Sequence, residues 1–419
     1  MRRVALLLAL LVAAASAVPV VNAARAPGIV ILVDLAHGQP AGGLDVMMDM
    51  IPEAEWILLV PSEDYVASLP KNIVAKASEI RVGGFTPDNL AGVDVVIIGQ
   101  VTQPLAPEEV QAIVDWFNAE GAPRLIWVAG DSDYPAQGSE TAQLTKNQVL
   151  EALGSKIRAD YVSVEDEQSY AGKTYRVVGI VNPDPEVAVL ACGAEKMLFH
   201  GPGPLYALDE NGNPVNPVET KVPGVYVVVT TTDKGKIVQH QSAESGGMDP
   251  VFYTNIGEYG VYPLLLVEDK TGEDGVPKRI IASGETPYGG YQAGVTWEYH
   301  GVIMQGPILF RNLIYWGTGY MGDLLSCQKL MEAYNKAEEA YAKAEDNAGK
   351  VTQLQQTLSD LSKKVDQLSQ NLTQVSQKAD EAYKKAEEAA QKGPGGAAYA
   401  GIGLAIIALI VAAAAFAKK

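Results

Sequence analysis

Apolar residues follow two different periodicities along this chain. The first third contains four short, largely apolar runs, Ile29–Asp34, Trp56–Val60, Val93–Ile98 and Leu125–Val128. Runs of this length are typical of strands buried on both faces of a parallel sheet. Helical patterns lie between the runs. The sequence therefore predicts an α/β fold built on a doubly wound, mostly parallel sheet.

The helix after the third run has the clearest boundaries. Pro107 lies in its first turn, Glu108 and Glu109 suit the positive end of the helix dipole, and Gly121 ends it. Another helix is predicted at Leu44–Met50. Downstream, the pattern predicts five strands, Arg176–Val181, Val187–Ala191, Val225–Thr231, Leu264–Glu268 and Arg279–Ala282. A final helix is predicted at Gly306–Trp316. Because no linker interrupts these elements, we predict one α/β domain with β-rich elaborations over residues 27–322.

The second periodicity lies between residues 325 and 392, where apolar residues recur every three or four positions. This spacing predicts a coiled-coil stalk, and copies of the same chain are the simplest partners, as a dimer or a trimer. The repeat shifts near Asp346–Gly349. Two forms are therefore possible, one continuous helix or a hairpin that folds back at this point, and the continuous helix is favoured. Asn371 begins an Asn-X-Thr sequon and is a candidate for glycosylation.

Both ends of the chain carry export and membrane patterns. Residues 1–23 have the basic start, apolar centre and small residues of a signal peptide. After a Gly/Pro hinge at 393–396, residues 397–417 are uncharged and predict a transmembrane helix, with residues 418–419 as a cytoplasmic tail. The sequence therefore predicts a single-pass protein of the cell membrane with its N-terminal domain extracellular.

Charge and cysteine content limit the classes of partner. The formal net charge of −18 excludes nucleic acid as a natural partner. The two cysteines, Cys192 and Cys327, form no metal-binding motif, and the sequence leaves open whether they form a bridge.

Polar residues follow three of the predicted strands. The carboxyl ends of parallel strands meet at one edge of a sheet, so the loops at 34–43, 99–103 and 130–138 are expected to lie together there. We expect any ligand-binding residues at this edge: Asp34, His37, Gly130, Asp131, Ser132 and Asp133. A structural role in the loops and a role in holding a cation or a small polar ligand both remain open. The spacing matches no known metal pattern, so no metal or cofactor is predicted. His200 is interpreted as a turn residue.

A family resemblance rests on the order of these elements. It is carried by Val93–Gly99, Val114–Phe117, Leu125–Gly130, Ile280–Glu285 and Leu309–Trp316. Over residues 28–320 the chain resembles the class I glutamine amidotransferase-like fold, also described as flavodoxin-like, in its divergent, non-catalytic branch. Catalytic members of that family place a cysteine after the fourth strand and a histidine and a glutamate near the end of the domain. Here the corresponding turn, Gly130–Asp133, has no cysteine, and Glu298 and His300 are the late candidates.

Three functions follow from these patterns. The leading hypothesis is a non-enzymatic protein with a structural or interaction role in the cell envelope, because the layout resembles archaeal membrane-anchored surface proteins, including those of surface layers. Other envelope proteins would then be its partners. The alternative is a tethered ligand-binding module that serves a transporter or a receptor. The third is a hydrolase in which His300 activates Ser132.

Overall fold

A computed structural model describes residues 28–135, 140–391, 401 and 403–408 of the chain. The predicted signal peptide, hinge and tail lie outside these residues. The chain divides into two compact units at Met331.

The first unit is built on a ten-stranded sheet in the order β3-β2-β1-β4-β5-β16-β15-β12-β8-β9. Its six neighbouring strands from β3 to β16 are parallel, and the other four alternate in direction. Its strands are β1 (Val30–Asp34), β2 (Glu55–Val60), β3 (Glu79–Val82), β4 (Val95–Ile98), β5 (Arg124–Ala129), β8 (Arg176–Val181), β9 (Lys196–His200), β12 (Val225–Thr230), β15 (Pro263–Asp269) and β16 (Lys278–Ser283). The predicted α/β class is confirmed.

Smaller sheets decorate this core. Two are three-stranded, in the orders β11-β10-β6 and β14-β13-β7, and β17 pairs with β18 in a hairpin. Their strands are β6 (Ile157–Ala159), β7 (Ser163–Asp166), β10 (Leu205–Leu208), β11 (Pro214–Val215), β13 (Gly235–Val238), β14 (Tyr259–Gly260), β17 (Glu298–Tyr299) and β18 (Val302–Ile303).

Seven helices are described: α1 (Leu44–Met50), α2 (Glu63–Val66), α3 (Lys71–Lys76), α4 (Pro107–Asn118), α5 (Thr141–Ala152), α6 (Gly306–Thr318) and α7 (Gly322–Ala390). Alternate strand residues bury against different helices. Ile31 belongs to the apolar cluster that contains α1 and α6, and Leu32 belongs to the cluster that contains α4 and α5. Helices therefore cover both faces of the sheet, which explains why the parallel strands are continuously apolar.

One predicted strand is wrong. Residues Pro185–Ala191 form a 3₁₀ helix instead of a strand at Val187–Ala191. Pro185 has no N–H to donate to a sheet, and its fixed φ suits the first turn of a helix. The N–H of Val187 then donates to the carbonyl oxygen of Asp184 at 2.9 Å and closes the turn.

Cys192, which follows this 3₁₀ helix, forms a disulfide bond with Cys327 in the first turns of α7, with 6.1 Å between their Cα atoms. The bridge that the sequence left open is therefore present. It joins the start of α7 to the α/β unit.

Helix α7 continues into the second unit, with no interruption at Asp346–Gly349. The apolar residues of the heptad pattern point to solvent, and Leu358, for example, is 70% exposed. The coiled coil itself is not evident in the structure, because no helix among the described residues covers the stripe from Val351 to Leu368. Nearer the end of α7, the helical residues 403–408 lie against the stripe, and a Cβ atom on Gly403 would lie 3.0 Å from Cβ of Ala386.

The predicted membrane attachment is corrected by the structure. No helix within the described residues is both long and apolar enough to span a bilayer. The long helix, α7, is rich in charged and polar residues, and only residue 401 and residues 403–408 of the predicted span at 397–417 are described as helical. A span requires about 20 apolar residues. The predictions of a membrane partner and of a single-pass membrane location are therefore wrong on this finding.

Candidate functional site

The predicted loops do lie at one edge of the sheet, and glycines permit their close packing. A Cβ atom on Gly130 would lie 2.5 Å from Nζ of Lys146, and one on Gly284 would lie 2.0 Å from the carbonyl oxygen of Gly203. Both distances are shorter than real Cβ contacts, so a larger residue would push these segments apart. The loops that follow β5 and β16 are thereby held against α5 and the segment after β9.

Asp34 and His37 form a closed network with α4. His37 Nδ1 lies 2.8 Å from Asp34 Oδ2, and its Nε2 lies 3.1 Å from Glu109 Oε1. Gln39 donates to Asp34 at 2.7 Å, and the His37 ring stacks on Phe85. Burial disfavours the charged imidazole, but the hydrogen bonds and charges of the two carboxylates outweigh it and raise the pKa of His37 to about 9. Both ring nitrogens are used, so the network fastens the loop after β1 to α4.

Asp131 belongs to a second buried cluster, with Lys146, Glu285 and Gln100. Gln100 donates to the Asp131 carboxylate, and Lys146 donates to the carbonyl oxygen of Ser283 at 2.9 Å. Burial lowers the pKa of Lys146 to about 7, although both carboxyl groups oppose this shift. Burial also raises the pKa values of Asp131 and Glu285 well above their usual range. The cluster therefore carries less charge than its composition suggests.

Sequence reasoning missed Lys146, although a signal was present. Val149 and Leu150 follow it at helical spacings of three and four, and both are buried. This spacing places Lys146 on the buried face of α5. A lysine at such a position needs polar partners.

The two residues after Asp131 have different roles. Asp133 accepts hydrogen bonds from the Ser163 hydroxyl at 2.6 Å and from the backbone N–H groups of His240 and Gln241 at 2.6 and 3.0 Å. It therefore fastens the loop after β5 to β7 and to the segment after β13. The Ser132 hydroxyl accepts from the N–H of Tyr134 at 3.2 Å.

His300, the predicted base for Ser132, makes a different contact. His300 lies in the turn between β17 and β18, and its Nε2 lies 2.8 Å from Nη1 of Arg176. Among the described residues, Ser132 and His300 thus form hydrogen bonds with other groups and not with each other. The structure does not bring this predicted pair together.

Ser132 instead lines an open cavity of about 430 Å³. Three tyrosines and two histidines contribute to its walls. We call it the Tyr291 pocket, and it is lined by Ser132, Tyr134, Ser163, Val164, Glu165, Tyr175, His200, Gly201, His240 and Tyr291. Strand β9 runs in the same direction as the parallel strands, so its last residue, His200, reaches the same edge of the sheet as Ser132. The pocket therefore lies where ligands collect in α/β folds.

His200 is the distinctive residue of this pocket. It is only 5% exposed, yet neither ring nitrogen has a hydrogen-bond partner among the described residues. Tyr291 stacks on it with 4.7 Å between ring centroids, and Tyr175 contacts it edge-on at 5.7 Å. Burial lowers the pKa of His200, and the charge of Arg176 lowers it further. The neutral ring offers one donor and one acceptor.

Sequence reasoning interpreted His200 as a turn residue and did not identify the pocket. The apolar residues Met197, Leu198 and Phe199 directly before it are typical of a buried strand, and this is the signal that could have placed it at a strand end. Of the six predicted site residues, only Ser132 lines the Tyr291 pocket. Within the described parts of the chain, no cluster of three or more His, Cys, Asp or Glu residues could hold a metal ion.

Comparisons with known proteins add little to this geometry. No protein-family model matches the chain, and no curated protein matches it. Among solved structures, the chain is similar to one described as the mmIFT52 N-terminal domain, with a TM-score of 0.43 and 11% sequence identity, over 69% of this chain and 97% of that one. At this level the likeness carries no argument about function.

Proposed function

We propose that this protein is a non-catalytic binding protein whose α/β unit holds a small ligand in the Tyr291 pocket. The observation that carries the proposal is His200, a buried side chain that lines a cavity of about 430 Å³ and whose two ring nitrogens have no hydrogen-bond partner among the described residues. Buried polar groups in folded proteins almost always have partners. Both nitrogens are sealed from solvent in this conformation, so a ligand in the pocket supplies these hydrogen bonds once a neighbouring side chain moves. The cavity also lies within the range of roughly 300 to 1,000 Å³ that small-molecule sites occupy.

The absence of catalysis is part of the proposal. If the fold is of the doubly wound, amidotransferase-like type, the turn after β5 is the position of the nucleophile, and here it holds Ser132. The Ser132 hydroxyl accepts a backbone hydrogen bond, and His300 contacts Arg176. A serine nucleophile needs a base within hydrogen-bond reach. These contacts support a turn that shapes a binding pocket.

A ligand-observed NMR screen of a chemically diverse fragment library tests this proposal. We expect hits that bind the wild type and are lost in Tyr291→Ala, because Tyr291 forms the exposed wall of the pocket. Tyr259→Ala is the matched control, since Tyr259 is also an exposed tyrosine but lies outside the pocket. Hits that survive Tyr291→Ala, or a complete lack of hits, would contradict the proposal.

A second candidate function is a structural or interaction role through α7, within an envelope or another assembly. The observation that favours it is the exposed Leu/Val stripe with heptad spacing, which a coiled coil with partner helices would bury. The disulfide between Cys192 and Cys327 supports an oxidising compartment for this role.

Light scattering on the whole chain tests the coiled coil. We expect the variant with Leu361→Asp and Leu368→Asp to have a lower mass than the wild type, because both residues belong to the stripe. The variant with Ser359→Asp and Gln367→Asp carries the same charges beside the stripe and should keep the wild-type mass. An equal mass in all three proteins would contradict the coiled coil.

A further inference from the structure

The Tyr291 pocket presents exposed aromatic rings beside groups that donate and accept hydrogen bonds. We propose that its ligand is a neutral saccharide whose ring packs on Tyr291 and whose hydroxyl groups bind the polar groups of the wall. This inference rests on the proposed function and names the chemical class of the ligand.

The first argument is the aromatic wall. Tyr291 is 69% exposed and Tyr134 is 48% exposed, and both line the same concavity. Exposed apolar surface grouped around a pocket marks a binding site more often than scattered exposed residues do. A sugar ring has an apolar face of C–H groups that packs on an aromatic ring, while its hydroxyl edge stays available for hydrogen bonds. The wall therefore suits a ligand with both properties.

The second argument is charge. Among the described residues that line the pocket, the charged side chain is Glu165, and neither lysine nor arginine is present. A phosphate or carboxylate ligand would meet this carboxylate, and Arg176, whose guanidinium lies over the ring of the wall residue Tyr175, is not among the residues that line the pocket. A cationic ligand is disfavoured as well, because Arg176 already lies over Tyr175, with its guanidinium carbon 5.2 Å from the ring centroid. A neutral ligand avoids both costs.

The third argument is the hydrogen-bonding capacity of His200. A hydroxyl group both donates and accepts, and a neutral imidazole offers one nitrogen of each kind. Burial and the neighbouring Arg176 lower the pKa of His200, which keeps the ring neutral at physiological pH. Once a neighbouring side chain moves, a polyhydroxylated ligand can therefore satisfy two nitrogens that are sealed from solvent and have no partner among the described residues.

The fourth argument is size and position. The cavity of about 430 Å³ is far larger than a metal ion or a small inorganic anion requires. Tyr291, which lines it, is 69% exposed. Its exposure also means that its removal creates no cavity in the protein core, so a variant at this position should fold.

The experiment is isothermal titration calorimetry on the full chain with two sets of probes. The first set contains maltose, cellobiose, mannobiose and N,N′-diacetylchitobiose. The second contains choline, inorganic phosphate and an N-acetylated dipeptide amide. We expect at least one saccharide to bind the wild type and no probe of the second set to do so. The affinity for that saccharide should fall roughly tenfold or more in Tyr291→Ala, which corresponds to about 1.4 kcal/mol of binding free energy.

Two further variants make the result specific. His200→Phe keeps an aromatic ring under Tyr291 but removes both nitrogens, and it should weaken saccharide binding while the thermal midpoint stays near that of the wild type. Tyr259→Ala should bind as the wild type does. Together they separate loss of a hydrogen bond from loss of folding.

The outcomes separate the two proposals. A probe of the second set that binds with dependence on Tyr291 would overturn the saccharide assignment and leave the binding pocket in place. Saccharide binding that is unchanged in Tyr291→Ala would overturn the assignment to this pocket. If no saccharide binds at millimolar concentrations, the saccharide inference is wrong, and the fragment screen decides separately whether the pocket binds anything.

Discussion

His37 and His200 are both buried histidines near the carboxyl edge of the parallel strands, but their surroundings are opposite. His37 lies between two carboxylates and uses both ring nitrogens. His200 lies among aromatic rings, and neither nitrogen has a partner in the described chain. The first arrangement fastens the loop after β1 to α4, whereas the second is the basis of the proposed ligand site. Burial alone therefore does not distinguish the two histidines, whereas the hydrogen bonds of their ring nitrogens do.

The largest expected effect is the loss of the His37 network. His37→Leu would leave the buried Asp34 and the partly buried Glu109 without their shared cation, and breaking such an arrangement costs about 3 kcal/mol. The free energy of unfolding in urea measures it. A change below about 1 kcal/mol, the usual scale of exposed ion pairs, would contradict the structural role of His37.

The two histidines should also differ in how their contributions to stability depend on pH, which is the next largest effect. The pKa of His37 is raised to about 9 in the folded protein, so its stabilisation is present below pH 6.5 and is lost as pH rises toward 9. The shift corresponds to roughly 3 kcal/mol. The pKa of Lys146 is lowered to about 7 in the folded protein, so its contribution makes the free energy of unfolding rise with pH above that value.

The quantity to measure is therefore the difference in unfolding free energy between the wild type and His37→Leu, at pH values from 6 to 9. It should shrink as pH rises. For His200, whose pKa is lowered, the corresponding contribution is present above pH 6.5 and is lost at lower pH. A constant difference for His37 would mean that its charge does not stabilise the fold.

The smallest expected effect on stability is that of His200→Leu. Replacing an unpartnered buried polar group by an apolar one is close to neutral, within about 1 kcal/mol. The same substitution should nevertheless abolish ligand binding in the pocket. Calorimetry and urea unfolding on one preparation test both parts, and a large loss of stability would mean that His200 has a structural role after all.

Sequence reasoning predicted the core of the fold better than its site. Strands β1, β2, β4 and β5 are buried on both faces, so their apolar runs are visible locally, and Pro107 marks the start of α4. Strand β3 was missed because it lies at the edge of the sheet and includes charged residues.

The site was harder to predict because its residues are far apart in the chain. Asp34, His37, Asp131 and Asp133 do lie near one edge, but each is used by hydrogen bonds within the protein. The Tyr291 pocket joins Ser132, His200 and Tyr291, and no local pattern links these positions. That His200 has no partner among the described residues is a property of the folded structure and has no counterpart in the sequence.

The most direct test is NMR of the imidazole nitrogens, since the chain has four histidines and their signals can be assigned by substitution. We expect His200 to be neutral at pH 7 and its ring nitrogen signals to shift when the saccharide probes are added. His37 should remain charged and unchanged under the same conditions. Ring nitrogens of His200 that do not respond, or signals of a protonated His200 at pH 7, would contradict this expectation.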